Sequence, residues 1–168
     1  MKKAFLSLIL TALALTVATM TSCGLIPSLI MGALDNDPLR YELNDVGYTV
    51  TSCDKKATEV TIPEEYKGKP VTSIGDYAFH FCDSLTSITI PESVESIGDA
   101  AFASCYNLSS VEIPESVESI GDEAFAYCYS LTSVKYRGSE AEWNDIYKGY
   151  HLDYGAGYYT IIYNYDGK

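Results

Sequence analysis

The amino-acid sequence predicts an α/β-type solenoid of 23-residue coils, each giving one short parallel strand and one short helical or 3-10 segment, capped at both ends. Two observations predict it. The stretch IGDYAFHFCDSLTSITIPESVES, Ile74 to Ser96, returns as IGDAAFASCYNLSSVEIPESVES from Ile97 to Ser119 and as IGDEAFAYCYSLTSVKYRGSEAE from Ile120. Within the first copy Ile74, Ala78, Phe79, Cys82, Leu85, Ile88, Ile90 and Val94 are the positions that stay apolar in the next, while the residues between them vary or stay polar. A fixed step that separates an inside from an outside is the mark of stacked units, none of which buries a core alone.

Along the chain, residues 1–22 open with Lys2 and Lys3 and continue through an apolar, uncharged run to Met20-Thr21-Ser22-Cys23, the layout of a signal peptide. A cysteine after small residues at the end of that run is similar to the bacterial lipobox, which makes Cys23 the expected lipid anchor to a membrane. Two alternatives stay open. The uncharged stretch from Ala4 to Leu34 is long enough for one membrane helix, which needs about 20 residues, although Pro27 weakens it, and simple secretion is the other. Residues 23–40 share no repeat, carry Pro27, Gly32 and Pro38, and read as a tether.

Residues 41–73 form an atypical first repeat and cap. Tyr48 and Val50, then Val60 and Ile62, give two strand-like pieces, the second aligned with Ile88 and Ile90; the extra residues around Glu64 to Lys69 read as a loop. Residues 74–142 are the three regular coils. Ser87 to Ile90, Ser110 to Ile113 and Ser133 to Tyr136 alternate polar and apolar and are the expected strands of a parallel sheet. Pro91 and Pro114 end the first two, where a residue lacking an N–H costs the ladder little.

Before each helical segment Gly75, Gly98 and Gly121 are expected at positive φ in a sharp turn, and Asp76, Asp99 and Asp122 at the N-cap. Stacked carboxylates about 4.8 Å apart repel by roughly 0.9 kcal/mol in water. A cap returns about 1 kcal/mol, so capping explains the column without a calcium ladder. Residues 143–168 break the period: Trp143 falls in the column of Ile97 and Ile120, and a run of tyrosines from Tyr136 to Tyr165 reads as a cap over the open end, some members of which would suit a binding surface.

The unit I-G-x-x-A-F-x-x-C-x-x-L-x-x-V-x-I-P-x-S-V resembles the BspA-like leucine-rich repeats, also called the Treponema pallidum type, found in bacterial surface proteins. The resemblance runs from about Tyr41 to Asp166. The tail is similar to that family's ending too, with Gly138, Ser139, Glu140 and Trp143 followed by an aromatic strand from Ile161 to Tyr165. It implies a leucine-rich-repeat fold and extracellular, often adhesive, protein binding, with no catalytic residue to carry over.

The formal charge of -12 excludes nucleic acid as an expected partner, and loss of Lys2 and Lys3 with the leader makes the mature chain more acidic. Apart from Cys23, Cys82, Cys105 and Cys128 share one column and Cys53 precedes it; their spacing matches no zinc site, buried free thiols account for them, and a disulfide between adjacent coils stays open, although side chains of one column point the same way. Glu92 with Glu95 and Glu115 with Glu118 recur with the coil in a polar turn, unlike a catalytic carboxylate pair in a shaped pocket. No phosphate loop, His-Glu zinc motif or triad is present, so the chain reads as a non-catalytic protein without cofactor or metal. Two functional readings follow. One is a surface-anchored, adhesin-like module that holds an extracellular protein ligand on a polar strip: Glu59 and Thr61, Ser87 and Thr89, Ser110 and Glu112, Ser133 and Lys135. The other is a structural envelope lipoprotein or spacer without a specific ligand, which the small number of coils favours. An exposed sheet edge at either terminus leaves the oligomeric state open.

Overall fold

The structure, a computed structural model, describes residues 37–167. The expected leader, the Cys23 anchor and the tether up to residue 36 lie outside the described residues. Among those described, no helix is long and apolar enough to cross a membrane.

Two sheets form. The first has the order β3 (Glu59–Thr61), β6 (Ser87–Thr89), β8 (Ser110–Ile113), β10 (Ser133–Tyr136) and β12 (Thr160–Ile162), all parallel, with the last strand at the far edge. These are the strands that the serine-led alternation marks. Their inward residues Val60, Ile88, Val111 and Val134 are buried. The second sheet was not expected from the alternation, because each regular coil gives it only a Ser-Ile pair. Its order is β1 (Leu39–Leu43), β2 (Tyr48–Cys53), β5 (Lys69–Ile74), β7 (Ser96–Ile97), β9 (Ser119–Ile120) and β11 (Tyr147–Lys148), with β4 (Glu65–Tyr66) folded back on β5. The β4–β5 pairing makes the expected loop a tight hairpin, turned at Lys67 and Gly68, both at positive φ.

The expectation of an α/β solenoid is wrong: the chain is a β-solenoid. Among the described residues the one α-helix is α1, Glu140–Asp145, in the C-terminal cap, and the regular coils have none. Backbone geometry explains why. Tyr77 and Phe81 sit at φ 58 and 57, as do their equivalents Ala100, Ser104, Glu123 and Tyr127 near these values. A left-handed residue every fourth position prevents a helical run. The intervening residues close tight turns, His80 N–H to the Tyr77 carbonyl at 3.0 Å and Cys82 N–H to that of Phe79 at 2.9 Å. Tyr77, Phe79 and Phe81 instead donate to the next coil, to the carbonyls of Asp99, Ala101 and Ala103 at 2.9, 2.7 and 3.1 Å. The segment expected to be helical is thus a third ladder between coils, and the backbone bonds a helix would keep internal are spent on stacking.

With no helix to cap, the aspartate column does other work. Asp76 Oδ1 accepts from Asp99 N–H at 2.9 Å, Asp99 Oδ1 from Asp122 N–H at 2.8 Å, and Asp122 Oδ1 from Tyr150 N–H at 2.7 Å. Each carboxylate ties its coil to the next. The glycines beside them have ordinary negative φ, contrary to expectation. They are needed for close approach: a Cβ on Gly98 would lie 2.6 Å from the Asp76 nitrogen and 2.8 Å from the Gly75 carbonyl carbon.

Phe79, Phe102 and Phe125 stack as the repeat requires, at 5.0 and 5.4 Å between centroids, and are buried with Leu85, Leu108 and Leu131. Trp143 does not occupy the column of Ile120; Lys148 stands there instead, because the last step carries an insertion. That insertion is α1, opened by Ser139 in a reciprocal capping box with Glu142. Trp143 is buried from α1 against Tyr136, 5.2 Å away.

Candidate functional site

The eight strip residues lie on the outer face of the first sheet, in two rows fixed by strand register. Glu59, Ser87, Ser110 and Ser133 stand side by side, as do Thr61, Thr89, Glu112 and Lys135. Their neighbours Ile88 and Val111 point inward, so the outward face is set by the two-residue period. Thr160 and Ile162 of β12 continue the rows, two positions the repeat did not reveal because the step to them carries the insertion. Glu59 and Thr61 are exposed, whereas the serines, Thr89, Glu112 and Lys135 are half-buried.

Lys135 gathers the charge of this face. Its Nζ lies 3.4 Å from Glu112 Oε1 and 3.4 Å from the Tyr165 hydroxyl, over whose ring it sits at 4.7 Å. Desolvation works against the ammonium, but the Tyr165 hydroxyl and the Glu112 carboxylate outweigh it and raise its pKa. At the turn beyond the strands Arg137 Nη1 pairs with Glu92 Oε1 at 3.0 Å, across two coils. The strip is thus small, polar and internally paired at one end, with no group held reactive.

A second surface was missed. Along the third ladder, Phe81, Tyr106, Tyr129, Tyr127 and Tyr154 form a chain of ring contacts at 5.6 to 6.2 Å, all exposed, with Tyr129 at 60%. Its signal in the sequence was the aromatic residues at positions outside the apolar columns. Of the cap tyrosines, Tyr136 is buried and Tyr159 packs on the core with its hydroxyl on Asp153 at 2.9 Å, while Tyr147, Tyr150, Tyr154 and Tyr158 are exposed. Desolvation, then the Asp153 bond, raises the Tyr159 pKa.

A shallow groove of about 370 Å³ runs over the second sheet between the Ser73, Ser96 and Ser119 row and the Asp76 and Asp99 column. Among the described residues, no three His, Cys, Asp or Glu side chains gather as a metal would require. Glu92, Glu95, Glu115 and Glu118 are exposed. Cys53, Cys82, Cys105 and Cys128 are buried free thiols.

Stacked coils, three hydrogen-bonded faces and a polar strip along one sheet define, among the described residues, a parallel repeat protein. The chain belongs to the BspA type leucine rich repeat region family, whose model matches residues 48–147 in six copies. It is similar to the leucine rich repeat protein of T. pallidum, at 32% identity over 58% of this chain and 46% of that one, TM-score 0.56. A leucine rich cell surface protein from Faecalibacterium prausnitzii matches at 29% identity over 62% of this chain and 32% of that one, TM-score 0.52. A leucine-rich repeat protein from Bacteroides capillosus matches at 29% identity over 77% of this chain and 96% of that one, TM-score 0.63. The chain therefore spans less than half the length of the first two. No curated protein matches it.

Proposed function

We propose that this chain is an exported, non-catalytic, adhesin-like module, held at the bacterial surface by lipid on Cys23, that binds an extended segment of an extracellular protein along the strip. The observation that carries the reading is the alignment of Glu59, Ser87, Ser110 and Ser133 beside Thr61, Thr89, Glu112 and Lys135 on one sheet face. Small side chains let a partner's backbone approach, and Glu112 and Lys135 set its charge register. Family membership supports protein binding, and the likeness to a cell surface protein of F. prausnitzii supports the location.

The test is binding of the acyl-free protein to a panel of extracellular proteins. Saturable binding that is lost in Thr89→Arg with Glu112→Arg, at unchanged melting temperature, and kept in Tyr129→Ala supports the strip. Loss in Tyr129→Ala alone moves the site to the aromatic chain, and no saturable partner leaves a spacer. Membrane retention of Cys23→Ser would overturn the lipid anchor.

A further inference from the structure

The line of rings along the third ladder is longer than the segment from Phe81 to Tyr154. At one end Tyr77 meets His80 at 5.5 Å between centroids and His80 meets Phe81 at 4.2 Å; at the other, His151 meets Tyr154 at 5.8 Å. The rings therefore touch without a break from the first regular coil into the C-terminal cap, and every Tyr and Phe among them is exposed. A contiguous exposed apolar surface of this kind marks a contact face. It crosses three coil steps, about 14 Å at about 4.8 Å each, which four or five extended residues of a partner would cover.

The charge of the same turns says what that partner carries. Residues 74–86, 97–109, 120–132 and 149–157 contain no Lys or Arg. Asp83 stands in the column of Tyr106 and Tyr129, Glu123 in the column of Tyr77, and Asp153 beside Tyr154 in sequence, all three exposed. The aspartate rungs lie one residue before the Tyr77 column. Burial, then the nearby Lys55 ammonium, lower the His80 pKa, so His80 adds no charge at neutral pH. Among the described residues neither ion pair uses a carboxylate of this face.

Elsewhere the chain covers its rings with its own lysines: Lys67 over Tyr66 at 5.0 Å, Lys135 over Tyr165 at 4.7 Å and Lys148 over Trp143 at 5.0 Å. Lys135 shows how a cation is held on this protein, with Glu112 Oε1 at 3.4 Å on one side and the Tyr165 ring on the other. The third face sets rings among carboxylates and supplies no cation over them; Lys55 reaches it only to donate to the His80 carbonyl.

We infer that the aromatic face binds a short arginine-rich segment of another protein, whose guanidinium groups lie on Phe81, Tyr106, Tyr129 and Tyr154 and pair with Asp83, Glu123 and Asp153. A guanidinium suits both partners, since its plane stacks on a ring, its fork matches a carboxylate and it sheds water more readily than an ammonium. A second copy of this chain does not fit, because face-to-face packing would set carboxylates against carboxylates. The polar strip lies on another face, so this inference stands independently of the proposed function.

The experiment titrates the full-length chain in non-ionic detergent with an eight-residue peptide of alternating Arg and Ser, at neutral pH and about 0.15 M salt. Matched peptides carry Lys or Glu in place of Arg, and cellohexaose serves as a neutral sugar. Expected is saturable one-to-one binding of the Arg peptide, about five-fold tighter than the Lys peptide, with no binding of the Glu peptide. Phe81→Ala with Tyr129→Ala should weaken it about ten-fold at unchanged melting temperature, while Phe81→Tyr with Tyr129→Phe keeps it. Thr89→Gln with Ser110→Gln, which crowds the strip without altering charge, should leave it unchanged. Equal affinity for the Arg and Lys peptides together with no effect of the double alanine change would show attraction by net charge alone and overturn the inference. So would loss of the Arg peptide in the strip variant, which would place the segment on the first sheet, or ring-dependent binding of cellohexaose without binding of the Arg peptide.

Discussion

Gly98→Ala tests the stacking of the coils most directly. The added methyl would sit 2.6 Å from the Asp76 nitrogen and 2.8 Å from the Gly75 carbonyl carbon, both backbone atoms that cannot turn aside. To restore ordinary contact the coil has to withdraw by roughly 0.8 Å. Three bonds cross this gap: Gly98 N–H to the Ile74 carbonyl at 2.8 Å, Asp99 N–H to Asp76 Oδ1 at 2.9 Å, and Tyr77 N–H to the Asp99 carbonyl at 2.9 Å. A withdrawal of that size carries each of them past the hydrogen-bonding limit. At about 1 kcal/mol each, the loss is about 3 kcal/mol, the upper end of what overpacking usually costs. The melting temperature should fall by about 10 °C. Gly68→Ala is the matched control. Gly68 has φ 77 and nothing within 4 Å of an added Cβ, so the methyl meets only backbone strain of about 1–2 kcal/mol. Urea denaturation of both variants gives the comparison. If Gly98→Ala costs no more than Gly68→Ala, the coils do not approach at the glycine column and the close-contact reasoning fails.

Phe102→Ala removes a fully buried ring stacked on two others, at about 3–5 kcal/mol for the ring and about 1 kcal/mol for each lost stack, so a total of about 5–7 kcal/mol should leave most of the array unfolded. A cooperative melt with less than about 2 kcal/mol lost would refute the central position of that column. Glu142 accepts from the Ser139 backbone and hydroxyl, bonds that lower its pKa in the folded chain. Its contribution is therefore present above the unfolded value of about 4.3 and disappears as pH falls through the lower folded value. The melting temperature of Glu142→Gln should lie below that of the native chain at neutral pH and meet it in acid; a constant gap would show that the carboxylate's charge is not what the capping box uses.

The period of the repeat is enough to identify inside and outside, because a residue buried in one coil is buried at the same place in the next. Phe79, Phe102 and Phe125, the serine-led strands and the two-row strip follow from that alone. Alternation needs several residues to show itself, so the two-residue strands Ser96–Ile97 and Ser119–Ile120 left no trace that distinguishes a second sheet. The insertion before Tyr147 also moved Trp143 out of the column its number suggested, which hid Thr160 and Ile162 as the continuation of the strip.

What the sequence by itself determined is which side chains of the three regular coils share a column, since within a fixed period that depends only on counting residues. Whether the Ile-Gly-Asp-x-Ala-Phe segment closes its hydrogen bonds internally, as a helix, or sideways, into the next coil, was decided by the tertiary structure. A single coil offers no partner for Tyr77, Phe79 and Phe81 N–H; the neighbouring coil offers the carbonyls of Asp99, Ala101 and Ala103 at bonding distance. Once those bonds are available, left-handed turns at Tyr77 and Phe81 are tolerated, the aspartates become rungs between coils, and the glycines are selected for nearness rather than for φ.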